Sequence, residues 1–438
     1  MKAEIRKFYS FLWAAILANL ASTLAMIVDS IIAGHLLGPV GLAAITSLQP
    51  VNQFIFAVTV LLNTGSAMLV AYAIGERDDR GIRGYFSFSM LMNAVAAGVM
   101  LVSGLLLTGA LARFTSNDPA IYDSAVTYGR IMISTGGLMI IMFGTNAFVR
   151  TDNAPKLVAL AVFIANAVNL VCDILFMKYF GWGIAGAAWA TAVGYVTGIL
   201  VVSVHFRRTG CRLALTGEWR MINRSAAVYI GLPMVVDTTC MFLRLLLVNN
   251  MILSVESASG LAVMSVAMNT LLVVNLFLGG TGQAMQGIGG VCLGAGDTES
   301  FSSMVRRSSV IILVMSLAVF AVVEFCPGGV AALFNLDADG AIYDSAIRSL
   351  KLFAWCMPGF GLAFVFEAAC LVRKQTVAAM IIAVFHTLTV AAVMAVTLKA
   401  GGISIWHSFW IGETLATILS FITYLVAGRL AARRILSE

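Results

Sequence analysis

Apolar residues run in blocks of about 20 along most of the chain, and short polar segments separate them. Twelve such blocks are marked at 10–33, 50–74, 86–112, 126–149, 157–177, 184–206, 226–253, 260–290, 308–334, 350–372, 376–398 and 404–428. A helix needs about 20 mostly apolar residues to cross the hydrocarbon core of a bilayer. Polar and apolar positions do not alternate within the blocks, as they would in barrel strands. The pattern predicts an all-α integral membrane protein with twelve transmembrane helices. The first block follows Lys2, Arg6 and Lys7, as in a signal peptide, but it carries Asp29 and has no obvious small-residue cleavage site. It is read as a retained first helix.

Composition supports this reading. The chain is 60% apolar and 11% charged, whereas soluble domains run near half apolar and a quarter charged. The net charge of +6 is scattered over the connections, so it carries topology and not nucleic-acid binding. Alternate connections collect twenty basic residues on one side and six on the other, and Arg244 alone lies within a span. Basic residues stay cytoplasmic, which places both termini inside, with a cell (inner) membrane as the expected location. The seven cysteines form no CxxC pair and read as small packing residues, not a disulfide framework or metal site.

The chain repeats itself. AIYDSA occurs at 120–125 and again at 341–346. GLA at 41–43 recurs at 260–262, and Gly75-Glu-Arg-Asp78 aligns with Gly294-Ala-Gly-Asp297, both at an offset of 219. Each half holds an even number of helices, so both insert with the same orientation, as a parallel repeat. The expected organisation is a six-helix lobe at 1–206, a cytoplasmic linker at 207–224 and a second six-helix lobe at 225–438.

The informative residues are the polar ones at membrane depth. An Asp at a helix centre costs about 2.5–3.5 kcal/mol on insertion scales, so it faces a cavity or a partner. Asp29 lies in the first block. Asn166, Asn169 and Asp173 lie in the fifth, spaced three and four apart on one helical stripe. Such a stripe is either an oxygen-ligand column for a cation or a polar seam between helices. Asp237, Arg244, Glu367, His386 and Glu413 form a different set in the second half. An internal ion pair of Arg244 with Glu367 is the plainer reading of that set, and a second ion or substrate site the sharper one. The chain has no HExxH, GxSxG or Walker A motif. An enzyme is not expected, and uphill transport would have to draw on an ion gradient.

IVDSIIAGHLLGPVGLAAI in the first span, GAGD after the eighth, and NAVNLVCDILFMKYFGWGIAGAAWATAVG across the fifth and sixth make the chain resemble the multidrug and toxic compound extrusion (MATE) family over nearly its whole length. The resemblance implies two six-helix lobes around a central cavity. It also implies a first-lobe cation site of Asp29, Asn169, Asp173 and Thr191 with the Ala187 carbonyl, and Asn166 as a candidate for added lining. A hard cation such as Na⁺ takes oxygen ligands, and two neighbouring carboxylates make a proton the alternative. The family's first-helix proline is replaced here by Ala14, while the second half keeps Pro233 at the equivalent position. Asp237, Arg244 and Glu367 are candidates for second-lobe chemistry.

The function expected from these readings is cation-coupled antiport, by Na⁺ or H⁺, that exports small organic cationic or amphipathic compounds by alternating access. The partners expected are the substrate and the bilayer, with no nucleic acid, no cofactor beyond the coupling ion, and a functional monomer. A lipid-linked oligosaccharide or lipid flippase of the same superfamily is the alternative, and an intramembrane lipid-acting transferase a remote one.

Overall fold

A computed structural model describes residues 2–115, 119–333, 343–401 and 404–437. Among the described residues, twelve helices are long and apolar enough to span a membrane. They are α1 (Glu4–Gly38), α2 (Val40–Glu76), α3 (Asp79–Leu106), α4 (Pro119–Thr151), α5 (Pro155–Tyr179), α6 (Gly183–Arg207), α7 (Arg224–Glu256), α8 (Val263–Gly294), α9 (Thr298–Phe325), α10 (Ala346–Val372), α11 (Thr376–Ala400) and α12 (His407–Ala431). The twelve predicted spans are present, with corrected ends. The third and ninth start at Asp79 and Thr298 rather than at 86 and 308, because hydropathy discounts the charged and polar residues of the opening turns whereas a capped helix includes them. The third breaks after Leu106, and Thr108–Thr115 forms a separate short helix. The ninth stops at Phe325, and Pro327 opens another short helix, Pro327–Leu333.

The repeat is visible in the turns. Asp78 and Asp297 close the two aligned tetrapeptides, and each caps the helix that follows. Asp78 accepts from the Arg80 backbone N–H at 3.1 Å and Asp297 from that of Ser300 at 2.9 Å. Just before them, Arg77 and Gly296 both take left-handed backbone, at φ 59° and 77°. Asn153 and Lys374 form a second left-handed pair, after α4 and α10. The first AIYDSA opens α4; the second begins at 341–342, outside the described residues, and continues into the helix Tyr343–Ala354. Corresponding helices pair in each half: α3 with α4 and α9 with α10, α5 with α6 and α11 with α12.

The chain divides into two compact units. One comprises Arg6–Gly231 with Gly290–Gly296; the other comprises Met1–Ile5, Leu232–Gly289 and Asp297–Glu438. The linker packs within the first unit. Arg83 grips Glu218 with two hydrogen bonds, at 2.8 and 3.1 Å, and these hold the Glu218 carboxyl below the usual range. Ser87 accepts from the Thr216 N–H at 2.8 Å and donates to the Ala214 carbonyl at 3.1 Å. Large apolar side chains such as Leu91, Val95, Val102 and Leu105 of α3 point outward, as lipid-facing residues do.

The interior of the first unit holds a closed polar seam. Asn63 and Asn93 exchange amide hydrogen bonds at 3.2 and 2.8 Å, and Ser89 donates to Asn63 at 2.9 Å. Both amides are buried. Close helix approach depends on glycine: a Cβ on Gly65 of α2 would overlap the carbonyl of Ala227 in the first turn of α7. We therefore expect Gly65→Ala to cost about 1–3 kcal/mol through overpacking. Its unfolding midpoint in detergent, followed by intrinsic fluorescence, should fall below that of the wild type; an unchanged midpoint would contradict the packing described here.

Candidate functional site

The α5–α6 hairpin builds the polar stripe. Pro155 opens α5 at a position that needs no backbone N–H. The helix continues to Ile174 and widens into a π-turn over Leu175–Tyr179, directly after Asp173. Such widened turns recur at functional sites because they re-aim neighbouring side chains. Gly181 and Gly183, at φ 69° and 53°, reverse the chain, and Phe176, Phe180 and Trp182 stack around the turn. On α6, small residues bring the backbones close. A Cβ on Gly186 would lie 2.8 Å from the Phe176 backbone, and one on Gly194 would lie 3.0 Å from Cβ of Asn169. Ala187 and Thr191 sit between these glycines, so the α6 stretch that carries them lies close against α5.

Asp173 is fully buried, and its carboxyl lies close enough to that of Asp29 from α1 for the two to interact. No donor among the described residues reaches either Asp173 oxygen, and Nδ2 of Asn169 is buried without an acceptor. Two carboxylates in contact repel unless a proton or a cation lies with them. Tyr128 of α4 lies close enough to interact electrostatically with both acids, and Tyr195 of α6 with Asp29. Neither tyrosine stood out in the sequence, because each is an ordinary aromatic within an apolar block.

The remaining predicted residues are placed as follows. Thr191 Oγ1 donates to the Ala187 carbonyl at 3.1 Å, the bond that a membrane threonine commonly makes; as a donor, the hydroxyl keeps its own lone pairs to offer. Asn166 donates to Ser22 Oγ at 3.3 Å and so ties α5 to α1. α1 runs through Ala14 as regular helix, and its non-helical break is at Gly38.

The second unit corrects one expectation. The carboxylate partner of Arg244 is Glu413, at 2.5 Å, and not Glu367. His386 Nε2 lies 3.0 Å from the other Glu413 oxygen, and Arg244 also donates to the His386 carbonyl at 3.2 Å. Glu413 is fully buried and Arg244 nearly so. Spacing alone could not choose between the two acids, because they lie on different helices, α10 and α12. Asp237 and Glu367 are instead close enough to each other to interact as charges, and Asp237 also feels His386.

The MatE family model matches residues 14–175 and 233–397, taking in both halves. Multidrug export protein MepA of Staphylococcus saprophyticus is 22% identical over 420 residues, covering 89% of this chain and 86% of its own. Probable multidrug resistance protein YoeA of Bacillus subtilis is 22% identical over 207 residues; the match spans 45% of that relative's length. Among solved structures, a MOP superfamily transporter from Pyrococcus furiosus superposes with a TM-score of 0.88 at 21% identity, over 98% of this chain and 97% of its own. An outward-facing multidrug resistance MATE family transporter gives 0.88 at 19% identity, over 99% and 96%. At these identities the structural likeness establishes the fold.

Two predictions arise from these sites. Asp173→Leu removes a buried carboxyl that lacks donors, so in Na⁺-free detergent its unfolding midpoint should rise above that of the wild type; a fall would show that the carboxyl is stabilising. Arg244→Met leaves Glu413 without its guanidinium partner and should cost about 3–5 kcal/mol, most of which a second change, Glu413→Leu, should restore. Midpoints of the two single variants and the double variant test this cycle; additive losses would contradict it.

Proposed function

The chain belongs to the MatE family of transporters, and from that premise we propose that it is a cation-coupled antiporter exporting small organic compounds, cationic or amphipathic, by alternating access. The observation that carries the coupling site is the closeness of Asp29 to a fully buried Asp173 whose oxygens meet no donor among the described residues. A purely structural seam has its polar groups satisfied, as Asn63 and Asn93 are. The group at Asp29, Asn169 and Asp173 leaves oxygens and an amide unmatched. In this reading Na⁺ or H⁺ enters between the two carboxyls, with Thr191 and the Ala187 carbonyl as neutral oxygen donors.

Asp29 and Asp173 carry the charge exchanged in each cycle. When the substrate is uncharged, one charge moving down about 100 mV releases about 2.3 kcal/mol, enough to concentrate it some tens-fold on the other side; for a monovalent cation exchanged one for one, the ion's own concentration gradient drives export. In the second unit, Glu413 takes up the charge of Arg244, so that guanidinium is not available to neutralise Asp237 and Glu367. This acid pair supports a second protonation or ion step in the same cycle. The names of the relatives MepA and YoeA support multidrug compounds as substrates, and the basic connections support termini facing the cytoplasm of a cell membrane. The transporter is taken to work as a monomer.

In vesicles loaded with a fluorescent cationic dye, an imposed Na⁺ gradient or an imposed pH gradient, each applied alone, identifies the coupling ion. Asp29→Asn is expected to reduce dye transport at least tenfold at equal protein content. Transport equal to that of the wild type would overturn the site. If Na⁺ is the ligand, 100-fold excess over its dissociation constant should stabilise the wild type by about 2.7 kcal/mol and leave Asp29→Asn unmoved.

A further inference from the structure

Away from the membrane-depth acids, three different ligand groups meet where α4 ends, α6 ends and the linker begins. Asp152 directly follows α4, His205 lies in the last turn of α6, and Cys211 lies in the linker. One ligand atom from each falls within 4.8 Å of the other two. Asp152 Oδ2 lies 2.8 Å from His205 Nε2 and also accepts the Arg212 backbone N–H at 3.1 Å. The Asp152 and His205 side chains are only 6% and 5% exposed. His205 Nδ1 is buried with no hydrogen-bond partner among the described residues. Left-handed backbone at Asn153 and Gly210, φ 65° and 102°, bends the chain beside two of the three ligands.

We propose that Asp152, His205 and Cys211 bind one Zn²⁺, which clamps the linker to the ends of α4 and α6. The donor set is oxygen, imidazole nitrogen and thiolate sulfur, the combination that suits zinc. Zinc bonds of about 2.0–2.3 Å place tetrahedral ligand atoms about 3.3–3.8 Å apart. The three groups therefore need only a small adjustment. The Arg212 N–H orients the carboxylate from outside the ligand shell, as outer-shell bonds do in metal sites. Binding forms a Zn–S bond as the Cys211 S–H bond breaks and its proton passes to water. The neutral imidazole and the carboxylate bind through lone pairs. Cys211 is only partly buried, so water has access to complete the fourth position. The residues lie 53 and 6 positions apart, outside any recognised zinc spacing, and only the fold brings them together. The site is independent of the transport reading.

The competing account is an Asp152–His205 latch with an unrelated thiol beside it, and the two accounts predict different results. Full-length protein in detergent is stripped of metal and titrated with Co²⁺ as a spectroscopic probe for zinc. One equivalent should produce a thiolate-to-cobalt absorption band, and Cys211→Ser, which leaves the latch intact, should abolish it. The second arm uses a variant that keeps Cys211 and replaces the other six cysteines. Zn²⁺ should slow its maleimide labelling more than tenfold, and His205→Gln should remove the protection. Absence of the Co²⁺ band in the wild type, its persistence in Cys211→Ser, or labelling unaffected by Zn²⁺ would each overturn the proposal.

Discussion

The bilayer offers no hydrogen-bond partner to a polar group, and the rest of this structure follows from that constraint. Backbone groups are satisfied within twelve helices because lipid cannot satisfy them. Polar side chains must find partners in the same way. Asn63, Asn93 and Ser89 close on one another, and Glu413 takes Arg244 and His386. The group around Asp173 differs in having two carboxyls together with no cationic side chain beside them among the described residues. Two neighbouring carboxyls with an amide left over make the arrangement proposed above to take a small cation or a proton.

The two halves share a scaffold and differ in chemistry. Equivalent Asp caps, equivalent left-handed residues and equivalent helix pairings recur in both. None of these features requires particular residues at membrane depth, so the repeat leaves that chemistry free to diverge. The positions of the second half opposite Asn169 and Asp173 are Leu388 and Ala392. Its buried charges are carried by α7, α10, α11 and α12 instead. One half thus holds an acid pair with unmatched oxygens. The other holds an acid pair beside a separate, internally neutralised Arg–Glu–His group.

Much of this was legible in the chain, for identifiable reasons. Membrane spans are long and the transfer cost of polar groups is large, so the blocks marked twelve helices correctly, with errors at their ends, where Arg80, Arg83, Arg306 and Arg307 hid helical turns and where the third and ninth spans break early. The stripe of Asn166, Asn169 and Asp173 was legible because helical spacing alone aligns it. Asn166 nevertheless turned out to be engaged with Ser22, since spacing does not say what faces the stripe. Arg244 was matched to the wrong acid for the same reason: Glu367 and Glu413 are equivalent until helix packing is known.

What the sequence determined by itself was the class of molecule, its span count, its internal repeat and the acids exposed to the highest burial cost. These depend on local hydropathy and helical period, which each segment carries alone. What only the tertiary structure decided was partnership. It set Asp29 against Asp173, gave Glu413 to Arg244, packed the linker onto Arg83 and Ser87, and gathered Asp152, His205 and Cys211 at one junction. Those groups come from helices and loops far apart in the chain, and which of them meet depends on how the helices pack, a property that no single segment encodes.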